Sequence, residues 1–160
     1  MPLSVSCAST MRRRDVSIWD TQYVPRSAAT NVFRRGICAS FMPWAVQFGS
    51  VAEFEGRLEC MNFDGGAVGK ISITDASIAR STAEICDSPS ACIYAVYMLS
   101  GELRIEQAGR CAVAQKGDLV FHDSAITVAM STTQAGRFEG LIVMVNRGLL
   151  NLTDDVDSAF

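Results

Sequence analysis

From Phe54 onward the chain is written in short runs of alternating apolar and polar residues, parted by glycines and other turn residues. Successive side chains of a strand point to opposite faces, so a period of two marks a strand with one face in a core. Phe54 to Met61 alternates, and Asp64-Gly65-Gly66 after it is a hairpin-type turn. Val68 to Thr74 follows with Ile71 and Ile73 on one face, then a weaker run from Ile78 to Ile85. Ala91 to Leu99 is nearly continuous apolar, the pattern of a strand buried on both faces. Turns at Ser100-Gly101, Ala108-Gly109 and Lys116-Gly117-Asp118 separate runs at Leu103–Glu106, Cys111–Val113 and Leu119–Phe121. Ile126 to Met130 and Phe138 to Val145 complete a set of about eight or nine strands. Short strands joined by tight turns predict an all-β barrel or sandwich with only a few short helices.

The first fifty residues read differently. Pro2, Pro25 and Pro43 interrupt them, and one short helix is expected over Ser27–Arg35, with Gly36 as its stop. The predicted organisation is an irregular N-terminal arm over 1–52, a barrel over 53–146, and the start of a linker helix over 147–160. The last stretch runs into Asp154, Asp155 and Asp157, as expected of a cut within a longer protein.

With 49% hydrophobic and 19% charged residues, the chain is not a disordered tail. Its 160 residues suffice for one domain burying about two-thirds of its unfolded surface. The longest uncharged stretch, Gly36 to Ala52, is broken by Pro43, Gln47 and Gly49, so no membrane span and no membrane partner are expected. A weak apolar stretch precedes Arg12, Arg13 and Arg14, the reverse of a secretory signal, so the cytoplasm is the expected compartment. The net charge of -3 argues against bulk electrostatic binding of nucleic acid. Residues 1–40 nevertheless carry six arginines against two aspartates, a segment that could track phosphate. Because the arginines are scattered and not a continuous run, the arm is expected instead to fold back over an acidic barrel.

Chemistry-bearing patterns are sparse. Six cysteines show no CxxC pairing, which disfavours structural zinc; Cys60, Cys92 and Cys111 sit in apolar runs where a thiol acts as a small hydrophobe. His122-Asp123-Ser124 contains the single histidine. Along a strand His122 and Ser124 share a face while Asp123 turns away, so the three do not converge into a triad. Asp123-Ser124 is expected to end its strand by hydrogen-bonding the next turn. One histidine cannot assemble a metal shell on a barrel, and no cofactor is expected. Gly65 to Lys70 resembles a phosphate loop only superficially, because Asp64 stands where its first glycine belongs and Ile71 where Ser or Thr belongs.

What remains is a barrel that either fills with side chains or keeps a cavity for one ligand. The candidate lining is Trp44, Tyr94, Tyr97 and Met98, with Arg80 and Gln107 as polar anchors and His122 beside them. An arginine within an apolar strand needs a partner, either a protein carboxylate or a ligand's.

The stretch from Ala91 to Leu150 resembles the N-terminal sensor domain of AraC/XylS-type transcriptional regulators. The resemblance is carried by Gly101 with Glu106-Gln107-Ala108-Gly109-Arg110, by Lys116-Gly117-Asp118-Leu119-Val120-Phe121-His122-Asp123-Ser124, and by Leu141 through Leu150. Arg80-Ser81 stands where the family often has Arg-Thr, and Phe54–Arg57 and Val68–Ile73 fit its first two strands, extending the likeness to about residues 33–150. Departures are Lys116 for a proline, Ala125-Ile126-Thr127 for Arg-Pro-Tyr, His122 for a tyrosine and Asn146 for a proline. The resemblance implies a cupin-like β-barrel, or double-stranded β-helix, that is not an enzyme. It would bind a small-molecule effector, aromatic or carboxylate, and form a homodimer. Promoter DNA would be read only through a C-terminal helix-turn-helix domain that this sequence lacks. The arm bearing Arg12–Arg14 would close over the pocket or contact that domain. The alternatives are a stand-alone cupin-like binding barrel, a metal-free cupin enzyme, or a filled barrel that only mediates assembly.

Overall fold

The alternating runs pair into two antiparallel sheets in the computed structural model, which describes residues 15–132 and 136–150. The strands are β1 (Val16–Asp20), β2 (Ala45–Phe48), β3 (Gly56–Phe63), β4 (Gly66–Ile73), β5 (Ala76–Arg80), β6 (Cys92–Ser100), β7 (Glu102–Gln107), β8 (Arg110–Gln115), β9 (Leu119–Asp123), β10 (Val128–Thr132) and β11 (Phe138–Asn146). One sheet has the order β1-β3-β4-β11-β6-β9 and the other β2-β5-β10-β7-β8. Every run read from Phe54 onward contains a strand, although the one from Ile78 to Ile85 does so only in its first half, and the fold is all-β with few helices, in the cupin-like manner expected.

The hairpins follow from turn chemistry. Ala108 and Gly109, at φ 50° and 73°, form the two-residue connection between β7 and β8. Positive φ at both central positions matches the twist of the flanking strands. The Gly65 to Lys70 string is likewise the β3–β4 hairpin and not a phosphate loop.

The segment before Phe54 contributes more than one helix. β1 pairs with β3 and β2 with β5, so both strands belong to the sheets. The helix α1 (Arg26–Ser40) runs past its expected stop at Gly36. A Cβ on that glycine would sit 2.5 Å from Trp19 Cγ, so Gly36 lets β1 lie directly against the helix. Ala29, Phe33, Ile37 and Ser40 recur at helical spacing and are buried, with Phe33 stacked edge-on against Phe54. The weak run from Ile78 to Ile85 is two elements: β5, then a short helix α2 (Thr82–Asp87). Ser81 caps α2 from Ala83 N while the Glu84 carboxylate accepts from the Ser81 backbone, a capping box.

Between the sheets lies the core, where Leu58, Ile71, Ile73, Val96 and Met98 face Val46, Leu103, Ile105 and Val128. Cys60 and Cys92 are buried among them, whereas Cys111 is exposed because β8 is an edge strand. β6 is covered on one face only: Tyr97 is 42% exposed, beside Leu119 and Leu141 on neighbouring strands. After β11, Arg147–Leu150 form a single 3-10 turn; residues 151–160 of the expected linker helix, and Arg12–Arg14 of the arm, lie outside the described residues.

Candidate functional site

Strand parity and register build the site. On β6, Tyr94, Val96 and Met98 are buried, and Tyr94 is the register partner of His122 on β9. Directly opposed side chains on one face of an antiparallel pair lie within contact distance. The two rings accordingly stack, with centroids 4.6 Å apart and planes 9° from parallel. Trp44, placed just before β2, meets both edge-on, at 5.6 Å from Tyr94 and 5.7 Å from His122. Its burial rests on that packing and on the Pro43-Trp44 approach into β2.

These three rings line a cavity between the sheets, whose wall also includes Phe41, Val96, Met130 and Ile142. It leaves about 60 Å³ in which the centre of a water molecule can move. No Asp, Glu, Lys or Arg lines it. Thr132 on its wall is committed to the main chain of Ala76. Two buried polar atoms on its wall are not committed: the Tyr94 hydroxyl and His122 Nδ1 find no hydrogen-bond partner among the described residues. Such orphans are rare in native proteins, because each forgoes the hydrogen bonds it made to water. Burial pushes the His122 imidazole down to about 4 and the Tyr94 phenol up, the latter shift opposed by the Trp44 indole N–H, which approaches the hydroxyl without meeting hydrogen-bond geometry. Both rings are therefore neutral at pH 7.

Arg80 occupies a different place. It is fully buried, and its guanidinium donates to the carbonyls of Ser124 and Pro43 at 2.9 Å and to that of Ser88. Ser88 is the C-terminal cap of α2, where carbonyl dipoles favour a cation. The partner that this arginine requires is thus neither a protein carboxylate nor a group in the cavity. It pins three loop ends together, an arrangement suited to the rigid fork of arginine. Gln107 also works on backbone: its amide donates to Asp123 O at 2.8 Å and accepts from Asp123 N at 3.0 Å, joining β7 to β9 outside the cavity.

Of the sequence-predicted residues, the structure brings together Trp44, Tyr94 and His122. It holds Arg80, Gln107 and Met98 apart from the cavity and turns Tyr97 to the outer face. Parity alone separates the two tyrosines, since residues an odd number apart on a strand cannot share a face. Phe41 and Ile37 line the cavity from the end of α1, a contribution invisible while that helix was expected to stop at Gly36.

His122 makes no hydrogen bond to Asp123 or Ser124. Asp123 ends β9 as expected, accepting from Ala125 N at 2.8 Å, and pairs with Arg147 at 2.7 Å. Ser124 bonds the backbone of Cys92 and Ser90. Among the described residues no group of three or more His, Cys, Asp or Glu side chains could hold a metal ion, and no helix is long and apolar enough to cross a membrane.

The chain is similar to the AraC-like transcriptional activator CuxR, with a TM-score of 0.70 and 16% identity over 91% of this chain and 50% of that one. It thus spans half the length of that structure. Looser likenesses are a cupin protein from Bacteroides fragilis (TM-score 0.40, 16% identity, 61% of this chain and 79% of that one) and a protein from Thermotoga maritima described as a predicted oxalate decarboxylase (0.45, 14%, 68% and 95%). No curated protein matches the sequence. The model of the AraC-binding-like domain matches residues 33–160. The chain belongs to the AraC-binding-like domain family of AraC-type regulators.

Proposed function

We propose that this chain is the effector-sensing and dimerisation domain of an AraC-type transcriptional regulator, acting in the cytoplasm, with one small molecule bound in the cavity beside Trp44, Tyr94 and His122. The observation that carries the reading is the pair of buried polar atoms left without partners on the wall of an apolar cavity. Promoter DNA is assigned to a helix-turn-helix domain elsewhere in the full-length regulator, in a homodimer. The mechanism is linkage: an effector that binds one arrangement of the barrel more tightly shifts the population of DNA-competent dimers. No catalytic role is assigned, since His122 touches neither a nucleophile nor an orienting carboxylate. Arg80 acts in this reading by holding the loops at one end of the barrel.

A thermal-shift screen with and without a blocked cavity tests this. A ligand at a hundred times its dissociation constant stabilises by about 2.7 kcal/mol, roughly 5–10 °C for a domain of this size. The expected result is a compound that shifts the wild type and does not shift Val96→Phe, whose larger ring fills the cavity. A shift that survives in a folded Val96→Phe protein moves the ligand site elsewhere. No shift with any small alcohol, acid, amine or aromatic overturns the sensor reading.

A further inference from the structure

The cavity wall restricts what can bind there. Its neutral rings supply uncommitted hydrogen-bonding atoms, and no Asp, Glu, Lys or Arg side chain lines it to balance a charge. Arg80, the cation that the sequence offered as a carboxylate's partner, has its guanidinium taken up by three main-chain carbonyls and does not line the cavity. Burying an ion without a partner costs several kcal/mol, far more than burying a hydroxyl or amide that finds a hydrogen bond. Size is limited as well. A water molecule needs roughly 10–15 Å³ of this kind of volume, so the 60 Å³ present corresponds to about four to six waters, the bulk of roughly six to nine heavy atoms.

We infer that the cavity selects a compact, uncharged molecule with one hydrogen-bonding end — an alcohol, phenol or primary amide on an apolar body — and rejects carboxylates and amines of the same shape. The inference rests on the sensor reading and narrows it, setting aside the carboxylate effector that the arginine first evoked. The hydrogen-bonding end meets the Tyr94 hydroxyl and the His122 ring, each able to donate or accept while neutral. The apolar body lies against Val96, Met130 and Ile142.

Four probes of one shape separate the possibilities: benzyl alcohol, toluene, benzoate and benzylamine, titrated at millimolar concentration into the full chain at pH 7.5 by calorimetry. Benzyl alcohol is expected to bind about fivefold more tightly than toluene, the worth of one net hydrogen bond. It should exceed benzoate and benzylamine by roughly a hundredfold, the cost of an unpartnered buried charge. Tyr94→Phe, which removes one hydroxyl and leaves the ring stack, should narrow the alcohol-to-toluene ratio without weakening toluene. Benzoate or benzylamine binding within fivefold of the alcohol overturns the inference and leaves the sensor reading standing. So does an alcohol no tighter than toluene, or a ratio unchanged in Tyr94→Phe. Absence of binding by all four overturns the sensor reading itself.

Discussion

Protonating His122 is the sharpest single perturbation of this barrel. Its ring is 1% exposed, stacked on Tyr94 and edge-on to Trp44, and burial is the cause that lowers its pKa to about 4. Asp123, the adjacent carboxylate in sequence, pairs with Arg147 and does not bond the ring. An unfolded chain titrates its histidine near 6.5. Between about 6.5 and about 4 the unfolded state therefore takes up a proton that the folded state refuses, and stability falls as the pH falls. The contribution is fully present above pH 6.5. Relative to pH 7.5 the loss is about 2 kcal/mol at pH 5 and about 3 kcal/mol at pH 4, working at 1.36 kcal/mol per unit. Carboxylates titrate over the same range, so the test is a difference. Urea unfolding of wild type and His122→Phe at matched pH cancels their share, and phenylalanine keeps a ring on Tyr94. The wild-type value minus the variant value should fall by about 2 kcal/mol from pH 7.5 to pH 5. A difference constant within about 0.5 kcal/mol would refute the reasoning, because it would mean the charged ring is solvated or paired in the folded state.

Substitutions at three further positions test the scaffold. Arg80→Met removes three charge-assisted hydrogen bonds and strands the carbonyls of Pro43, Ser88 and Ser124, for a loss of about 4 kcal/mol or more; Arg80→Lys should recover only part of it, and chemical denaturation in which lysine matches arginine would show that charge rather than fork geometry matters. Gly36→Ala should destabilise by about 1–2 kcal/mol in spite of alanine's better helix propensity, because its Cβ meets Trp19; a stabilised protein would mean that β1 does not pack on α1. Ala108→Asn should stabilise by about 0.5–1 kcal/mol, read as a rise of roughly 1–4 °C in Tm, since asparagine tolerates the positive φ that alanine holds there; no change would place the strain elsewhere.

How legible the molecule was in its sequence varies by element. The runs from Phe54 to Val145 show their period of two within a few residues, and the glycines between them mark the turns, so nine strands could be read directly. β1 and β2 escaped because each is only a few residues long and owes its existence to a distant partner, β3 or β5. Gly36 misled in a physically specific way: glycine ends helices by conformational freedom, but here it serves close packing against Trp19. The start of α2 was legible, since Ser81 and Glu84 stand at capping-box spacing, although its apolar residues blended into the strand pattern. For the site, parity puts Tyr94 and Tyr97 on opposite faces of β6, a signal that the expectation of both in the cavity lining passed over.

The remaining features of the site depend on register and on layer packing. That His122 faces Tyr94 depends on the alignment of β9 with β6, two strands separated in sequence by the whole β7–β8 hairpin. That Trp44 closes the aromatic trio depends on how the sheets face one another. The sequence by itself determined a buried arginine's need for hydrogen bonds and the turn-and-alternation grammar of the barrel, because both arise from local stereochemistry and the solvation of single side chains. Only the tertiary structure decided that carbonyls of three loop ends would satisfy Arg80, and that a phenol and an imidazole would be left unpaired beside a cavity. Those outcomes depend on distances between segments far apart in the chain, which no local pattern encodes.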